Sequence, residues 1–495
     1  MTQHAGAIVN HAFNPVNDMR FHKHSSTEFG GIRAISAFGG AVLALTLLAA
    51  EPSTANPLHV DGRTIVDGAG RQVILRGANV SGATKTPPFL PLTETTWFDN
   101  LEAWGFNLVR LLISWEALEP DPGFYRTRYL DAIEELVDGA ADRGLYVVLD
   151  MHQDLYARPF SGDGAPTWAI PADVDWSSFE PKSIWPLNYA TPEVNRCFSA
   201  FWADEDGVQS AYLDAWRQVV ARVAEHPALI GYDPINEPWA GFTGARTADR
   251  DLLQPFYDRF HEEIREPIDP DAILFLEPNG WTVSGPLAPS FRPFDYENVV
   301  LNVHWYDTVP MTVGVYTPFG RWRSTLRFQR IDRWGESLGL PVWVSEFGIG
   351  FDVIGHAAYL NDQYELLDAH QFHSAQWEYE PGWAERGLWN GEDMSMLDEN
   401  DEPRNLEQIV RPFARALPGR MIRSKFRRWN RRFSLRYRSN GGGEGEAEIF
   451  IAAETQYPNG FEVQISDGTW SYSADGLLRH RPAEGVFEHE IVVHR

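Results

Sequence analysis

Short apolar runs alternate with amphipathic segments through most of the chain after residue 57. Runs such as Asn107–Leu112 and Leu145–Asp150 carry few polar residues, which is typical of strands buried on both faces of a sheet. Segments such as Arg128–Ala141 and Arg321–Leu338 have the spacing of amphipathic helices. Because strand and helix patterns take turns, the sequence predicts a parallel α/β fold.

The alternation recurs about eight times over roughly 350 residues, which predicts closure into a (β/α)8 TIM barrel. The predicted strands are Val73–Gly77, Asn107–Leu112, Leu145–Asp150, a run beginning at Leu229, Ala272–Leu276, Val299–Val303, Val342–Val344 and Ala375–Trp377. The predicted helices are Thr93–Trp104, Arg128–Ala141, Val208–Glu225, Ala248–Arg265, Arg321–Leu338 and Ala357–Ala369. The stretch Met151–Gly207 shows no clean period.

The pattern changes after Pro418. Arg420–Arg438 holds nine Lys or Arg among apolar residues, and shorter alternating runs follow at 446–452, 460–465 and 487–493. This texture predicts a small C-terminal antiparallel β-sandwich. The basic run is interpreted as a surface hairpin, or as a contact for anionic lipid headgroups or the cell envelope.

The N-terminal segment favours export. Ile35–Ala50 is an uncharged apolar run preceded by Arg20, Lys23 and Arg33, shorter than the ~20 residues of a membrane span and suited to a signal-peptide core. An uncleaved anchor and a structural helix are the alternatives, and Met19 is an alternative start. We therefore expect a leader at 1–56, a barrel at 57–415, a sandwich at 416–495 and a secreted or envelope-associated bacterial protein.

Composition limits the classes of partner, disulfide and metal site that are compatible with the chain. The 495 residues carry a formal charge of −27, which argues against nucleic acid because phosphate binding needs a basic surface. The single cysteine, Cys197, excludes an intramolecular disulfide and a cysteine-based metal site. No His-x-x-x-His pair occurs. We expect a monomer without a cofactor or metal.

Two glutamates at predicted strand ends indicate the chemistry. Glu237 follows the apolar run from Leu229 within Asn236-Glu237-Pro238, and Glu346 ends the run Pro341–Ser345. In a parallel barrel both side chains project from the catalytic face. A retaining glycosidase uses such a pair as proton donor and nucleophile. Glu277 and Glu378 also end strands, but they lack this paired context and are interpreted as structural or substrate-orienting.

These motifs resemble glycoside hydrolase family 5 of clan A, the cellulase-like enzymes. The resemblance implies that Glu237 is the acid/base, that Glu346 is the nucleophile and that Arg110 hydrogen-bonds the nucleophile. With Glu346 ionised nearby, we expect a raised pKa for Glu237, and we expect Asn236 to bind the sugar 2-hydroxyl. The remaining implied cleft residues are His152, His304, Tyr306 and the sugar platform Trp377.

Within that family the chain resembles the endoglycoceramidase group, which releases intact oligosaccharide from ceramide. The resemblance is carried by Met151-His152-Gln153-Asp154, by Lys85 and by the C-terminal sandwich. It implies that Lys85, Asp154 and Trp377 contact sugars next to the cleaved bond.

The substrate stays open at this point. The apolar segment Thr308–Phe319 suits lipid tails, or it packs on the sandwich. Enzymes for glucosylceramide, steryl glucosides or oligogalactosyl-ceramides would show the same features, and a cellulase-type glucanase is a further alternative. A non-enzymatic carbohydrate- or envelope-binding protein on a barrel scaffold is the alternative from another class.

Overall fold

The computed structural model describes residues 58–442 and 445–495. The expected leader at 1–56, with its signal peptide, lies outside the described residues. Across those two ranges, no helix has both the length and the apolar character needed to cross a bilayer.

Strands and helices of the described ranges are numbered in chain order. The strands are β1 (His59–Asp61), β2 (Thr64–Val66), β3 (Gln72–Val73), β4 (Arg76–Val80), β5 (Leu108–Ile113), β6 (Tyr146–Met151), β7 (Leu229–Asp233), β8 (Ile273–Leu276), β9 (Val299–Tyr306), β10 (Val342–Gly348), β11 (His373–Gln376), β12 (Phe413–Leu417), β13 (Arg420–Arg427), β14 (Arg432–Arg438), β15 (Ala447–Phe450), β16 (Glu462–Ile465), β17 (Thr469–Tyr472), β18 (Leu477–Arg481) and β19 (Glu488–His494).

The α-helices are α1 (Phe98–Ala103), α2 (Trp115–Leu118), α3 (Thr127–Ala141), α4 (Pro192–Trp202), α5 (Val208–Val223), α6 (Gln254–Phe260), α7 (Glu266–Ile268), α8 (Gly280–Val283), α9 (Thr308–Val313), α10 (Pro318–Leu338), α11 (His356–His370), α12 (Trp383–Arg386), α13 (Leu406–Ile409) and α14 (Ala453–Gln456).

Within residues 58–442, the eight strands β4 to β11 close a parallel barrel in chain order, with β11 pairing back onto β4. Side chains such as Leu108, Val148, Ile273 and Trp343 form one buried apolar cluster, while a larger cluster packs the helices on the strands. This is the predicted (β/α)8 barrel. The apolar runs of the sequence form its strands because each strand of the barrel buries the side chains on both of its faces.

The predicted bounds of the first barrel strand were wrong. The first barrel strand begins at Arg76 rather than Val73, because Val73 belongs to β3 and pairs with Ile65 and Ala416. The Asn107 side chain accepts from the Arg76 backbone N–H at 2.7 Å and donates to the Ile74 carbonyl at 2.9 Å, which holds the crossing point between the two sheets. The aperiodic stretch after Met151 contains helix α4 and several short 3-10 turns.

The C-terminal part forms the predicted antiparallel sandwich. In the described residues, one sheet has the order β1-β2-β3-β12-β15-β18-β17 and the other the order β13-β14-β19-β16. Strands β1 to β3 lie in the range assigned to the barrel, but they join the sandwich sheet through the β3–β12 pairing. The basic run is the β13–β14 hairpin, as expected.

Candidate active site

The two glutamates meet at the carboxyl ends of the barrel strands. Glu237 lies four residues beyond the end of β7, the fourth barrel strand, and Glu346 lies in β10, the seventh. One carboxylate oxygen of each, together with a ring nitrogen of His304, lie within 4.8 Å of one another. A retaining glycosidase holds its carboxyls about 5–5.5 Å apart, whereas an inverting enzyme needs about 6.5–9.5 Å to admit water. The spacing is that of a retaining pair.

Glu346 is held through both oxygens. Arg110 Nη1 donates to Oε1 at 2.6 Å, and the Tyr306 hydroxyl donates to Oε2 at 2.8 Å. Burial, together with the charge of Glu346, raises the pKa of Tyr306 well above its usual value, so the phenol stays a donor. With both oxygens fixed, the carboxylate is aimed into the cleft.

Arg110 lies on β5 and is fully buried beneath this pair. Burial alone would lower its pKa, but the surrounding carboxylates raise it well above the usual value. Its guanidinium contacts Glu346 (2.6 Å), Asp233 (2.8 Å), Asn236 (2.9 Å), Asn79 (3.0 Å), Asp150 (3.1 Å) and Glu277 (3.4 Å). A buried guanidinium needs such partners because each one replaces part of the hydration that the charged group loses on burial.

Glu237 is bound to His304. The Nδ1 atom of His304 lies 2.8 Å from Glu237 Oε1, and its Nε2 atom lies 3.1 Å from Glu277 Oε1. The Ser284 hydroxyl donates to the same Glu237 oxygen at 2.9 Å. The Glu237 backbone has φ +37°, a conformation that non-glycine residues rarely adopt. It is held there by its N–H, which donates to Glu277 at 2.9 Å, and by its carbonyl, which accepts from Gln153 at 3.1 Å.

The pKa of Glu237 differs from our expectation. Burial would raise it, but the hydrogen bond and the charge of His304 lower it below its ordinary value. Burial would likewise lower the pKa of His304, yet Glu277 and Glu346 raise it well above 6.5. In the free site, therefore, His304 retains the proton more strongly than an ordinary histidine, and Glu237 releases it more readily than an ordinary glutamate.

Asn236 and His152 are oriented beside Glu237. The Asn236 Oδ1 atom accepts from Arg110, and its Nδ2 donates to the Gln153 carbonyl at 3.1 Å. The ring of His152 stacks on Trp377 with centroids 5.6 Å apart. Burial would lower the pKa of His152, but Asp150, 2.7 Å from Nδ1, raises it to about 10.

Lys85, Asp154 and Trp377 come together on one side of the cleft. The Lys85 ammonium lies 2.7 Å from Asp154 Oδ2 and sits over the rings of Trp377 at 4.6 Å and Trp389 at 3.9 Å. Burial would raise the pKa of Asp154, but Lys85 and His152 lower it. The result is a charged, aromatic-lined pocket that can hydrogen-bond sugar hydroxyls.

The alternative carboxylates have supporting positions. Glu277 contacts His304, Arg110 and the Glu237 backbone, as described above. Glu378 accepts from the Gly82 backbone N–H at 2.6 Å, and burial beside Glu380 raises its pKa. Neither has a position equivalent to Glu237 or Glu346.

Our sequence reasoning missed three supports of the site: the buried Asp150 and Asp233 and the half-buried Ser284. Asp233 ends β7 and Asp150 lies one residue before the end of β6, so the same strand-end criterion that selected the glutamates was available for them. Ser284 follows the short helix α8 and carries no sequence signal.

Two clusters have ligand atoms close enough to hold a metal: Glu237–His304–Glu346 and His152–Asp154–Asp163. Each contains or adjoins a cationic side chain, since the pKa values of His304 and His152 are raised and the Lys85 ammonium contacts Asp154. A further cation would be repelled at both places, so the donor sets do not fit a metal ion.

Comparison with known proteins agrees with this geometry. An endoglycoceramidase I of Rhodococcus hoagii (strain 103S) is 29% identical over 437 residues, covering 83% of this chain and 82% of that protein. An endoglycoceramidase of Cyanea nozakii is 26% identical over 459 residues, covering 82% and 86%. The solved endo-glycoceramidase II from Rhodococcus sp. in an iminocyclitol complex superposes with a TM-score of 0.76 at 25% identity, covering 87% of this chain and 98% of that one.

The family models cover both parts of the chain. Residues 411–493 match the glycoside hydrolase family 5 C-terminal domain, and residues 66–382 match the cellulase model of glycosyl hydrolase family 5. With two glutamates at retaining distance on the catalytic face of the barrel, the chain belongs to glycosyl hydrolase family 5 and is a retaining O-glycosyl hydrolase.

Proposed function

We propose that this enzyme hydrolyses the β-glycosidic bond between the oligosaccharide and the ceramide of glycosphingolipids. The observation that carries the proposal is that the two sides of the cleft differ in chemical character. Loops after β4, β6 and β11 supply the Lys85–Asp154 ion pair and the rings of Trp377 and Trp389, whereas loops after β7, β8, β9 and β10 present exposed apolar side chains. The long loop after β6 also exposes Trp176, Ile184 and Leu187. The catalytic glutamates lie between, where a bond joining a sugar to a lipid would be placed.

The sugar side is the pocket of Lys85, Asp154, Trp377 and Trp389. A buried ion pair offers both donors and acceptors to hydroxyl groups, and aromatic faces stack on the apolar face of a pyranose. The endoglycoceramidases that resemble this chain over more than four fifths of its length support the same assignment.

We name the other side the apolar rim. It consists of Phe242, Trp281, Val309, Met311, Val313, Val315, Phe319 and Ile354, with exposed fractions from 38% to 70%. Segment 308–319 thus turns several of its apolar side chains to solvent. Clustered apolar exposure at a cleft marks a binding surface, and acyl chains or a bilayer surface are its natural partners. The pyranose rings of cellulose could stack on the three aromatic side chains of the rim, but cellulose has no group that matches its five aliphatic ones.

The first chemical step is glycosylation. Glu346 attacks the anomeric carbon while Glu237 delivers a proton to the departing ceramide oxygen, so the glycosidic bond breaks as the glycosyl-enzyme bond forms. Glu237 must carry that proton, and His304, hydrogen-bonded to its Oε1, orients the carboxyl group. Asn236, fixed by Arg110 and Gln153, is placed to bind the sugar 2-hydroxyl.

The second step is deglycosylation. Glu237, now ionised, removes a proton from water, which attacks the anomeric carbon and releases Glu346. Two inversions at the same carbon retain its configuration. Arg110 and Tyr306 hold Glu346 during both steps, since they contact different oxygens of its carboxylate.

Three further properties belong to the proposal. The enzyme acts outside the cytoplasm, supported by the apolar run at 35–50 with basic residues before it. It contacts membrane or envelope lipid peripherally, supported by the apolar rim. It acts as a monomer, supported by the fact that one chain supplies the two glutamates and their partners.

The test is thin-layer analysis of purified enzyme with lactosylceramide, a ganglioside, glucosylceramide and cellopentaose in detergent. We expect intact oligosaccharide and free ceramide, lost in both Glu346→Gln and Glu237→Gln. Cleavage of glucosylceramide alone would replace the proposal with a one-sugar β-glucosidase. Release of cellobiose with untouched glycolipid would overturn the lipid assignment in favour of a glucanase.

A further inference from the structure

The β13–β14 hairpin is the most basic segment of an acidic protein. Residues 420–438 hold nine Lys or Arg and no Asp or Glu, in a chain of net charge −27. The pairing register sets arginine opposite arginine at Arg427↔Arg432 and Arg423↔Arg436. Like charges directly across a strand pair are destabilising, so this arrangement has a cost unless something neutralises it.

Acidic neighbours neutralise only part of the hairpin. Arg436 and Arg438 contact Glu488 on the adjacent strand β19, at the end away from the turn. Near the turn, Arg428 and Arg431 share the single carboxylate of Glu407. Among the described residues, Arg427 and Arg432 have no carboxylate oxygen within 4.0 Å. The hairpin tip, which we define as residues 427–432, therefore carries uncompensated positive charge.

The same tip exposes a tryptophan. Trp429 occupies the turn between the strands and is 84% exposed, more than any of the apolar-rim side chains. A fully exposed indole gains nothing from the core. Trp flanked by Arg is the combination found where a protein surface meets lipid headgroups, because the indole suits the interface and the guanidinium pairs with phosphate.

The hairpin tip lies at the catalytic end of the barrel. Glu407, which pairs with Arg428, belongs to α13, and Asn405 immediately before that helix contacts His356 at 2.8 Å. His356 begins α11, two residues after Ile354 of the apolar rim, and Ile354 pairs with Val315. A short chain of contacts thus connects the tip to the apolar rim at the end of the barrel where the catalytic glutamates lie.

We propose that the hairpin tip binds the headgroups of an anionic lipid surface while the apolar rim faces its acyl region. This inference rests on the proposed function, since it names the surface from which the enzyme takes its substrate. A protein with net charge −27 is repelled by an anionic bilayer as a whole, so a local basic tip beside the cleft sets which face approaches. Arg427, Arg432 and Trp429 carry the interaction.

The test is co-sedimentation of full-length enzyme with two kinds of vesicle, neither containing glycolipid: phosphatidylcholine alone, and phosphatidylcholine mixed with the anionic lipid phosphatidylglycerol, whose negative surface attracts basic segments. We expect binding to the anionic vesicles only, weakening as salt rises. Each arginine near such a surface contributes about a fivefold change in partitioning. The double variant Arg427→Ser/Arg432→Ser should therefore bind roughly 25-fold more weakly, and Trp429→Ser should also bind more weakly.

The matched control is Arg436→Ser/Arg438→Ser, which removes the same number of arginines from the same strand pair, at the end away from the turn, where both contact Glu488. This control should bind nearly as well as the parent enzyme, and all variants should keep their melting temperature and their turnover of a soluble aryl glycoside. Equal losses in both double variants, or equal binding to the two vesicle types, would overturn the proposal. The vesicles contain no glycolipid, so this binding measurement does not depend on which substrate the enzyme cleaves. If the enzyme did not cleave glycosphingolipids, the proposed substrate would be rejected, but the result for the hairpin tip would still stand.

Discussion

The Nδ1 atom of His304 lies 2.8 Å from Oε1 of Glu237, and it couples the acid/base of the enzyme to a buried third carboxylate. The other ring nitrogen contacts Glu277, whose own pKa is raised by burial. Glu277 also accepts the backbone N–H of Glu237. The acid/base is thus linked to His304 and Glu277, and its pKa depends on these neighbours.

This coupling predicts the pH dependence. His304 lowers the pKa of Glu237, whereas burial acts in the opposite direction. In His304→Ala the Ser284 hydroxyl still lowers the pKa of Glu237, but the larger lowering cause is gone, so that pKa rises and the alkaline limb of kcat/KM moves to higher pH. The profile should be measured with a soluble aryl glycoside.

The matched control for this prediction is Ser284→Ala. The serine hydroxyl also lowers the pKa of Glu237 but is a lesser cause than His304, so the limb should move in the same direction by less. An unchanged or downward limb in His304→Ala would contradict the coupling.

Removal of Arg110 should destabilise the protein. Its fully buried guanidinium is surrounded by the carboxylates of Asp150, Asp233, Glu277 and Glu346. Arg110→Met would leave these groups without a cation, and breaking such buried pairing costs about 3–5 kcal/mol. Urea denaturation checks this value. The control is Arg222→Met, which removes an exposed ion pair with Glu134 and should lower the free energy of unfolding by less than about 1 kcal/mol. Similar losses of stability in the two variants would contradict the buried role assigned to Arg110.

Lys85 and Asp154 should act as a unit in sugar binding. They are 2.7 Å apart and buried, so removing either leaves the other unpaired. Lys85→Met and Asp154→Asn should each raise KM for an aryl lactoside. The double variant should lose less than the two single losses combined. Strictly additive losses in ΔΔG would show that the two residues bind substrate independently.

The apolar rim should affect lipid substrates selectively. Val313 and Phe319 are each 62% exposed, so replacing both with Ser should leave the core unchanged. Activity on glycolipid in vesicles should fall by an order of magnitude or more, roughly the transfer free energy of one to two partly buried side chains. Hydrolysis of a soluble aryl glycoside should be unchanged. A matched loss on both substrates would indicate damage to the catalytic site instead.

Much of the catalytic centre was predictable from local sequence. Asn236-Glu237-Pro238 and Ser345-Glu346-Phe347 each end an apolar strand, and parallel strands bring such ends to one face. The resemblance to glycoside hydrolase family 5 also selected Arg110, His152, His304 and Tyr306. The structure places these four residues around the two glutamates. Asp233 and Asp150 were overlooked because a single strand-end aspartate has no distinguishing context until Arg110 is seen between them.

The sequence alone determined the barrel, the sandwich and the two glutamates, because the period of apolar residues and the polar residue that ends each run are local properties. Only the tertiary structure decided the lowered pKa of Glu237, since its cause lies 67 positions away in His304. It also decided that β1 to β3 join the sandwich, and that the apolar side chains of the rim face solvent. Those features depend on contacts, or on their lack, between residues distant along the described chain, which no local pattern encodes.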